Sequence, residues 1–204
     1  MARRPLGQDE LLKISEHCAG KFLRSGETAP TVAELAEDSG LSERSFYRYF
    51  PTKEDSLRPL FDHGNRFYAQ AIDEQPAGTD FLSALEAAFI VTLERGRDRV
   101  SVQIMDVVLK SPALRQIWLE ASYQAFDLLR APLARLLGST PGSLETTVAC
   151  GQAVVFMLSG LERMTIHGLD AGEAARAVAH ATANLTEHHA RRRPAGTAGK
   201  EPRP

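Results

Sequence analysis

The sequence is short of several features, and each shortage excludes a class of protein. Only 2 of the 204 residues are cysteine, which excludes a disulfide framework and zinc sites built from four thiolates. Lysine and arginine number 24 against 26 aspartate and glutamate, so no overall positive field points to nucleic acid or an anionic membrane. The longest apolar stretch, 150–161, is interrupted by glycine, glutamine and serine and is predicted to be too short and too mixed to span a bilayer. The N-terminus leads into polar sequence rather than into a hydrophobic signal core, so we expect a cytoplasmic protein with no membrane partner.

Motifs that carry catalysis or bind metal are also missing. The sequence contains no H-E-x-x-H pair, no G-x-S-x-G elbow and no glycine-rich phosphate loop. Histidine and cysteine residues that share a metal ion occur at characteristic distances along a sequence. Such a spacing from a cysteine is not found for His63, His167, His180, His188 or His189. We therefore predict that the chain is not an enzyme and that it needs no cofactor and no metal.

What the sequence does have is helical periodicity. Apolar residues recur three and four positions apart along nearly the whole chain, and no window of strict alternation predicts a strand. Pro59 and Pro132 lie inside helical patterns and are expected to kink or shift those helices. An all-α fold of about nine helices is therefore predicted, over 8–24, 31–40, 42–50, 52–74, 79–96, 98–110, 112–137, 144–167 and 171–190. The stretch 191–204, which is rich in proline, glycine and arginine, is predicted to be a disordered basic tail.

Residues 31–50 have the layout of a helix-turn-helix: a short capped helix, a turn containing Gly40 and a second short helix. Thr31 and Glu34 have the spacing of a capping box, and Ser42 opens the second helix. The two helices are predicted to share a small core, formed by Val32, Leu35, Ala36, Leu41, Phe46 and Phe50 and covered by Ile14, Cys18 and Phe22. The opposite face of the second helix carries Arg44, Ser45, Arg48 and Tyr49. That face suits insertion into a DNA major groove, although on geometry alone an ordinary pair of packed helices is an equal alternative.

The distribution of charge favours DNA binding more than the total charge does. Acidic and basic residues balance over 1–53, and most of the acidic residues lie on the first two helices. Basic side chains and tyrosines instead cluster along the third helix and just after it, at Arg44, Tyr47, Arg48, Tyr49 and Lys53. Local charge rather than net charge sets affinity for phosphates.

The run TVAELAEDSGLS at 31–42, followed by SFYRYFPTKE at 45–54, resembles the DNA-binding domain of the TetR (tetracycline repressor) family. Ile14, Phe22 and Gly26 stand at the family's spacing upstream, and the resemblance covers about the first quarter of the chain. It implies a three-helix, N-terminal helix-turn-helix DNA-binding domain over 1–53 and a larger helical ligand-binding and dimerisation domain over 54–190. The implied function is transcription regulation by a repressor that binds a palindromic double-stranded DNA operator as a homodimer and is released by a small-molecule effector. Two alternatives stay open: a constitutive or structural DNA-binding protein with a non-functional pocket, and a helical enzyme on the same scaffold, which the missing catalytic groups oppose.

The resemblance also assigns DNA contacts. Phosphate contacts are implied for Thr31, Tyr47, Tyr49 and Lys53. Base reading would fall to the variable positions of the third helix, where Arg44 is the candidate for a bidentate guanine contact. Glu43 either accepts a hydrogen bond from a cytosine or complements the helix dipole, and Arg48 either contacts phosphate or lies in solvent. The complete predicted DNA-binding set is Thr31, Ser42, Glu43, Arg44, Ser45, Tyr47, Arg48, Tyr49 and Lys53.

The rest of the chain offers candidates for an effector pocket and a dimer interface. Large apolar groups that could line the pocket, with core packing as the alternative for each, are Phe89, Met105, Trp118, Tyr123, Phe126, Phe156 and Met157. Two polar groups that could orient a ligand are Gln103 and Asp106. Small residues in the last two helices favour a two-fold four-helix bundle between subunits, with intramolecular packing as the alternative. The predicted dimer contacts are Gly160, Met164, Ala175, Val178 and Ala179. A ligand that repacks the central helices would swing the fourth helix and change the separation of the two DNA-binding domains of the dimer.

Overall fold

The structure, a computed structural model, describes residues 5–26, 29–95 and 100–192, and within these ranges it contains helices and no strand. The α-helices are α1 (Gln8–Ser25), α2 (Val32–Asp38), α3 (Glu43–Tyr49), α4 (Arg58–Asp73), α5 (Phe81–Arg95), α6 (Val100–Gln103), α7 (Met105–Lys110), α8 (Pro112–Leu137), α9 (Leu144–His167) and α10 (Ala171–Arg192). The predicted all-α class is confirmed, and the described α-helices number nine when α6 and α7 are counted as one broken helix. Of the predicted tail, 191–192 end α10, and 193–204 lie outside the described residues.

The predictions for two helices are wrong in part, one in where the helix begins and the other in its continuity. The α-helix predicted from residue 52 begins only at Arg58, after a 3-10 turn over Glu54–Leu57. Pro59 is the second residue of α4, and a proline deeper in an α-helix would clash with the carbonyl four residues earlier. Its effect is therefore a later helix start and not a kink. The helix predicted over 98–110 is interrupted at Ile104, between α6 and α7, and 98–99 lie outside the described residues.

Two hydrophobic cores hold the helices together. The first lies beneath α1–α3, here called the head, and contains Ile14, Cys18, Phe22, Leu35, Ala36, Phe46 and Phe50 as predicted, with Val32 and Leu41 half-buried against it. This core does not stop at residue 53, the predicted domain boundary. The 3-10 turn adds Leu57 to this core, and Ile104 adds to it from the break between α6 and α7. The helices α4–α10, here called the body, add Leu60, Phe61, Met105, Val108, Leu114 and Trp118. The head is thus packed onto the body through one continuous apolar core.

The second core lies within the body, among α4, α5, α8, α9 and α10. Its aromatic centre is an edge-to-face pair, Phe89 and Phe156, with ring centroids 6.1 Å apart. The Tyr68 hydroxyl donates to the Ala153 carbonyl at 3.3 Å, and burial raises the pKa of Tyr68 far above its ordinary range. By length and composition alone, α9 could cross a membrane. Its inner face lies in this core through Cys150 and Phe156, as in a core helix.

Candidate nucleic-acid interface

The helix α2 begins at a reciprocal cap formed by Thr31 and Glu34, as the sequence predicts. The Thr31 hydroxyl accepts the backbone amide of Glu34 at 3.3 Å. The Glu34 carboxylate accepts the backbone amide of Thr31 at 2.8 Å and its hydroxyl at 2.9 Å. These two donors hold the pKa of the Glu34 carboxyl below its ordinary value. The Thr31 hydroxyl is therefore already engaged as donor and as acceptor within the cap.

The turn after α2 sets the start of α3. Gly40 has a φ of +66°, in the left-handed region that favours glycine. The Ser42 hydroxyl accepts the backbone amide of Ser45 at 3.2 Å and donates to the Ser45 hydroxyl at 3.0 Å. The two serines thus cap α3. The next side chains, Glu43 and Arg44, are exposed and make no hydrogen bond or ion pair with any described residue.

One side of α3 is buried and the other is exposed. The side chains of Phe46 and Phe50 are buried, with ring centroids 5.1 Å apart, and they fix the rotation of the helix on the head. Tyr47 is 51% exposed although its ring contacts that of Phe46 edge-to-face. Arg44 and Arg48 are exposed. The packing of the phenylalanines therefore turns a phenol and two guanidinium groups toward solvent.

A small cluster joins the end of α3 to the start of the chain. The Arg48 guanidinium donates to the Tyr49 hydroxyl at 2.9 Å and lies 4.7 Å from the centroid of the Tyr49 ring. The backbone amide of Leu6 donates to the same hydroxyl oxygen at 3.3 Å. Because the oxygen accepts both hydrogen bonds, its own O–H remains able to donate to a further group. No local pattern in the sequence predicts this contact between residues 43 positions apart.

Lys53 links the two ends of the helix-turn-helix. Its ammonium donates to the carbonyl of Pro30 at 3.1 Å, across 23 residues. A protonated lysine has three N–H donors, so two remain for another acceptor. Lys53 thus closes the head and still presents charge beside the cap of α2.

Two acidic residues of α2, Glu34 and Asp38, are paired with basic residues of α1. Arg24 lies 2.9 Å from the Asp38 carboxylate, and Lys21 lies 3.7 Å from that of Glu34. These pairs are partly exposed and contribute little to stability. They also offset part of the acidic charge of α2, which packs against α3.

Comparison with known proteins shows which family the helix-turn-helix resembles. Residues 22–57, which include α2, α3 and the 3-10 turn, match the family model described as bacterial regulatory proteins, tetR family. The helix-turn-helix of this chain is thus similar to that of the TetR family. The chain is 30% identical over 130 residues to the HTH-type transcriptional regulator TcmR of Streptomyces glaucescens, a match that covers 59% of this chain and 55% of TcmR. The chain thus spans about half the length of this curated relative.

Solved structures of TetR-family proteins share the fold. The TetR-family repressor AlkX of Dietzia sp., implicated in biodegradation of n-alkanes, is 16% identical, with a TM-score of 0.59 over 92% of this chain and 98% of AlkX. A TetR-family regulator of Rhodococcus sp. is 17% identical, with a TM-score of 0.52 over 87% of this chain and 97% of that protein. The matched proteins are described as a transcriptional regulator, a repressor and a regulator, respectively.

A cavity of about 70 Å³ lies in the body, beside the middle of α4. Its walls are formed by Leu60, Phe61, His63, Gly64, Asn65, Phe67, Thr92, Leu93, Val102, Met105, Trp118, Met157 and Leu161. Three of the predicted pocket residues are therefore brought together here: Met105, Trp118 and Met157. The polar groups in the wall are those of His63, Asn65 and Thr92, which the sequence analysis missed.

The other predicted pocket residues do not line this cavity. Phe89 and Phe156 fill the second core, and Phe126 packs half-buried against it. Tyr123 is 73% exposed on the outer side of α8. The predicted polar pair, Gln103 and Asp106, is exposed and lines a separate depression between the head and α7. Helical periodicity identified these side chains as large groups on central helices, but it does not show which neighbour each one meets.

The cavity wall is tied directly to the head through α4. The first turn of α4 has no side-chain cap of its own, and the Leu60 amide instead donates to the buried hydroxyl of Ser15 in α1, at 3.2 Å. Further along α4, the Asn65 side-chain amide donates to the Ala121 carbonyl of α8 at 3.0 Å. Arg58 lies 3.4 Å from the Glu120 carboxylate of α8. The helix that lines the cavity is thus bonded to the head at one end and to α8 along its length.

The last two helices present an apolar outer face. Val148, Val155, Ile166 and Leu185 are each 53–66% exposed. The spacings of 7 and 11 residues on α9 place its three members on one stripe, since both are close to whole helical turns. A groove of about 440 Å³ runs between α9 and α10 on this face.

The predicted dimer contacts lie mainly on the inner side of these helices, although Val178 also lines the groove between α9 and α10. Gly160, Ala175 and Val178 are buried in the second core, and Met164 and Ala179 pack half-buried against it. Gly160 is small for an intramolecular reason: a Cβ there would lie 2.5 Å from the Phe89 ring. Small residues mark a close approach, and here the approach is within one subunit.

Proposed function

We propose that this chain is a transcriptional regulator of the TetR family, a homodimeric repressor that binds a palindromic operator and is released by a small-molecule effector. The observation that carries the proposal is the exposed side of α3, where Arg44, Tyr47 and Arg48 face solvent on a helix anchored from behind by Phe46. The family match over 22–57 covers this helix and its cap.

The exposed residues of α3 support a division of roles on DNA. Arg44 has no partner among the described residues, so its planar guanidinium is free to bond O6 and N7 of a guanine, a contact worth about 1–3 kcal/mol of discrimination. Glu43 is equally exposed at the amino end of α3 and either accepts from a cytosine amine or complements the helix dipole. Tyr47 and Tyr49 have hydroxyls able to donate to phosphates, and Lys53 adds charge beside them.

Dimerisation through α9 and α10 would bury their apolar outer face. Paired with its two-fold copy, this face forms a four-helix bundle. A two-fold dimer presents two α3 helices, and operator half-sites about one helical turn apart, roughly 34–36 Å, match that symmetry. A DNA site with the same two-fold symmetry as the dimer has a palindromic sequence.

Release by an effector is supported by the position of α4, which connects the cavity to the head. The cavity wall includes the middle of α4, while its first turn is bonded to α1 of the head. A ligand that binds one position of α4 better than another shifts the head with it.

A constitutive DNA-binding protein is the second candidate, and the size of the cavity favours it. Pockets for drug-sized ligands typically enclose about 300–1,000 Å³, whereas this cavity encloses about 70 Å³. An effector therefore has to widen the cavity, or the cavity has no ligand at all.

The test starts by selecting bound duplexes from a random pool with the full chain. The selected site is then placed before a reporter promoter, and a metabolite library is screened for loss of binding at fixed salt. Recovery of a palindrome, lower reporter output and release by at least one compound support the proposal. A chain that binds and represses but is released by no compound supports the constitutive candidate, and a chain that selects no sequence refutes both.

Two sets of variants separate base reading from phosphate binding. Arg44→Ala should relax sequence choice at one position in each half-site. Tyr47→Phe combined with Lys53→Gln should weaken binding to all duplexes alike and flatten the salt dependence, while glutamine retains an N–H donor for Pro30. Equal effects of the two changes on selectivity would contradict these roles.

The dimer face has its own test. Ile166→Glu places a charge on the exposed stripe of α9 and should yield monomers in analytical ultracentrifugation. Tyr123→Glu, the same kind of change at an exposed position on α8, is the control and should leave the dimer intact. Dimers of both variants would rule out this interface.

A further inference from the structure

The hydroxyl of Tyr49 is held in one orientation by two donors. The backbone amide of Leu6 donates to its oxygen at 3.3 Å, and the Arg48 guanidinium donates to the same oxygen at 2.9 Å. A phenol oxygen has two lone pairs and one hydrogen, so both of its acceptor positions are in use. The hydrogen therefore points away from both donors. Tyr49, which is half-buried at the end of α3, thus presents one directed O–H donor.

The contact of Arg48 with Tyr49 does not follow from their being neighbours in the chain. Successive residues of an α-helix point about 100° apart, so the Arg48 side chain has to fold across the ring to reach the hydroxyl. The guanidinium lies 4.7 Å from the centroid of the ring while it donates to the oxygen. A planar guanidinium can stack and donate in this way, whereas the ammonium of a lysine is a point charge. Arg48 is thus bound to both parts of the phenol.

Among the described residues, no acidic side chain competes for this guanidinium. The carboxylate of Glu10 borders the same groove between α1 and α3, of about 540 Å³, but it already accepts the Gly7 amide at 2.7 Å. Arg48 forms no ion pair within the described part of the chain. A charged donor polarises the group that accepts from it and strengthens the next hydrogen bond in the series. The O–H of Tyr49 is therefore a stronger donor to an anion with Arg48 in place.

We propose that Arg48 is a positioning residue, which acts on DNA through Tyr49 by aiming the Tyr49 O–H at a backbone phosphate. This inference rests on the proposed function, in which Tyr49 binds phosphate. It replaces the two roles that the sequence leaves open for Arg48, a direct phosphate contact and a side chain that lies in solvent. Arg48 then adds affinity that does not depend on base sequence, and base reading by α3 is left to Glu43 and Arg44.

The experiment is a double-mutant cycle with the full chain on the duplex selected above. Arg48→Ala should weaken binding about tenfold in the wild-type background and less than about twofold in a Tyr49→Phe background, because phenylalanine lacks the hydroxyl through which Arg48 acts. A general loss of stability would weaken binding in both backgrounds. The control cycle pairs Arg44→Ala with Tyr49→Phe. Arg44 makes no hydrogen bond or ion pair with any described residue, so the effects of these two changes should multiply.

Salt dependence separates positioning from direct contact. If the two Arg48 side chains of a dimer each bound a phosphate, Arg48→Ala would make the slope of log affinity against log salt shallower by about 1.8, which is 0.9 for each. A neutral phenol displaces no counterion, so positioning predicts a change of less than about 0.5. The base sequence that Arg48→Ala selects from a random pool should be that of wild type.

A measurement without DNA tests the arrangement itself. Hydrogen exchange at the Leu6 amide should speed up severalfold in Tyr49→Phe, which removes its acceptor, and in Arg48→Ala, which releases the phenol ring. Arg44→Ala should leave this exchange unchanged. Unchanged exchange in Arg48→Ala would refute the orientation of Tyr49 by Arg48.

The outcomes on DNA distinguish the two proposals. If the effects of Arg48→Ala and Tyr49→Phe multiply, or if Arg48→Ala lowers the salt slope by about 1.8, positioning is refuted while the proposed function stands. If wild type binds no duplex, both proposals fall.

Discussion

The hydrogen bond between Ser15 and α4 leads to the sharpest stability prediction. The Leu60 amide is one of the first amides of α4, which have no partner within their own helix, and Ser15 accepts it from another helix. Both residues are buried, with Ser15 0% exposed. Water cannot replace the lost acceptor at such a position, so Ser15→Ala leaves a buried amide without a partner.

The magnitude follows from two opposing effects. An unsatisfied buried amide costs about 1–3 kcal/mol. Alanine recovers up to about 0.5 kcal/mol, because it is a better helix former than serine in the interior of α1. The free energy of unfolding should therefore fall by about 0.5–3 kcal/mol, and a fall of about 1.5 kcal/mol would lower Tm by roughly 3–6 °C in a chain of this size.

The measurement is urea unfolding of Ser15→Ala and wild type at one protein concentration, since a dimer's stability depends on concentration. Hydrogen exchange at the Leu60 amide should speed up in the variant. Ser83→Ala is the control: its hydroxyl bonds Asp80 at the exposed start of α5, so its effect should be smaller. Equal stability of Ser15→Ala and wild type, with unchanged protection of Leu60, would refute the role of this hydrogen bond.

Three further predictions concern glycines and a cap. Gly160→Ala should lower the free energy of unfolding, measured by urea titration, by about 1–3 kcal/mol, because the new methyl group overlaps the ring of Phe89. Gly151→Ala on the same helix is the control. Its new Cβ would make only an ordinary contact, so this variant should be neutral or stabilising. Gly64→Ala should raise the free energy of unfolding by about 0.5–1 kcal/mol, because alanine favours the helix and no neighbouring atom would contact its Cβ. The same variant narrows the adjacent cavity and should bind any effector there less tightly in calorimetry. The lowered pKa of Glu34 means that its cap with Thr31 stabilises α2 above the ordinary carboxyl pKa and is lost as pH falls through the lowered value. The destabilisation caused by Glu34→Ala should therefore be largest near neutral pH and vanish in strong acid, and a constant difference between pH 7 and 3 would contradict it.

The parts of the fold that follow local rules were predictable from the sequence. The cap of Thr31 with Glu34, the serine that opens α3 and the bounds of α8 all depend on residues close together in the chain, and the structure confirms them. The buried side of α3 was predictable for the same reason, since Phe46 and Phe50 are one helical turn apart.

The parts that depend on long-range contacts were not predictable. Ser15 looks like an ordinary polar residue in an amphipathic helix until α4 lies against it, 45 residues later. The contact of Leu6 with Tyr49 has no local signal either. Gly160 shows the limit most clearly: small size indicates a close neighbour, but only the three-dimensional arrangement shows that this neighbour is Phe89 of the same subunit.

The apolar core shared by the head and the body bears on protein engineering. Leu57 and Leu60 follow the helix-turn-helix in sequence, and Met105 and Trp118 come from α7 and α8, yet all four complete the packing beneath α1–α3. A head excised at residue 53 would expose that packing to water. Chimeric sensors that exchange DNA specificity between relatives should therefore transfer the first turn of α4 and the facing surfaces of α7 and α8 together with the head.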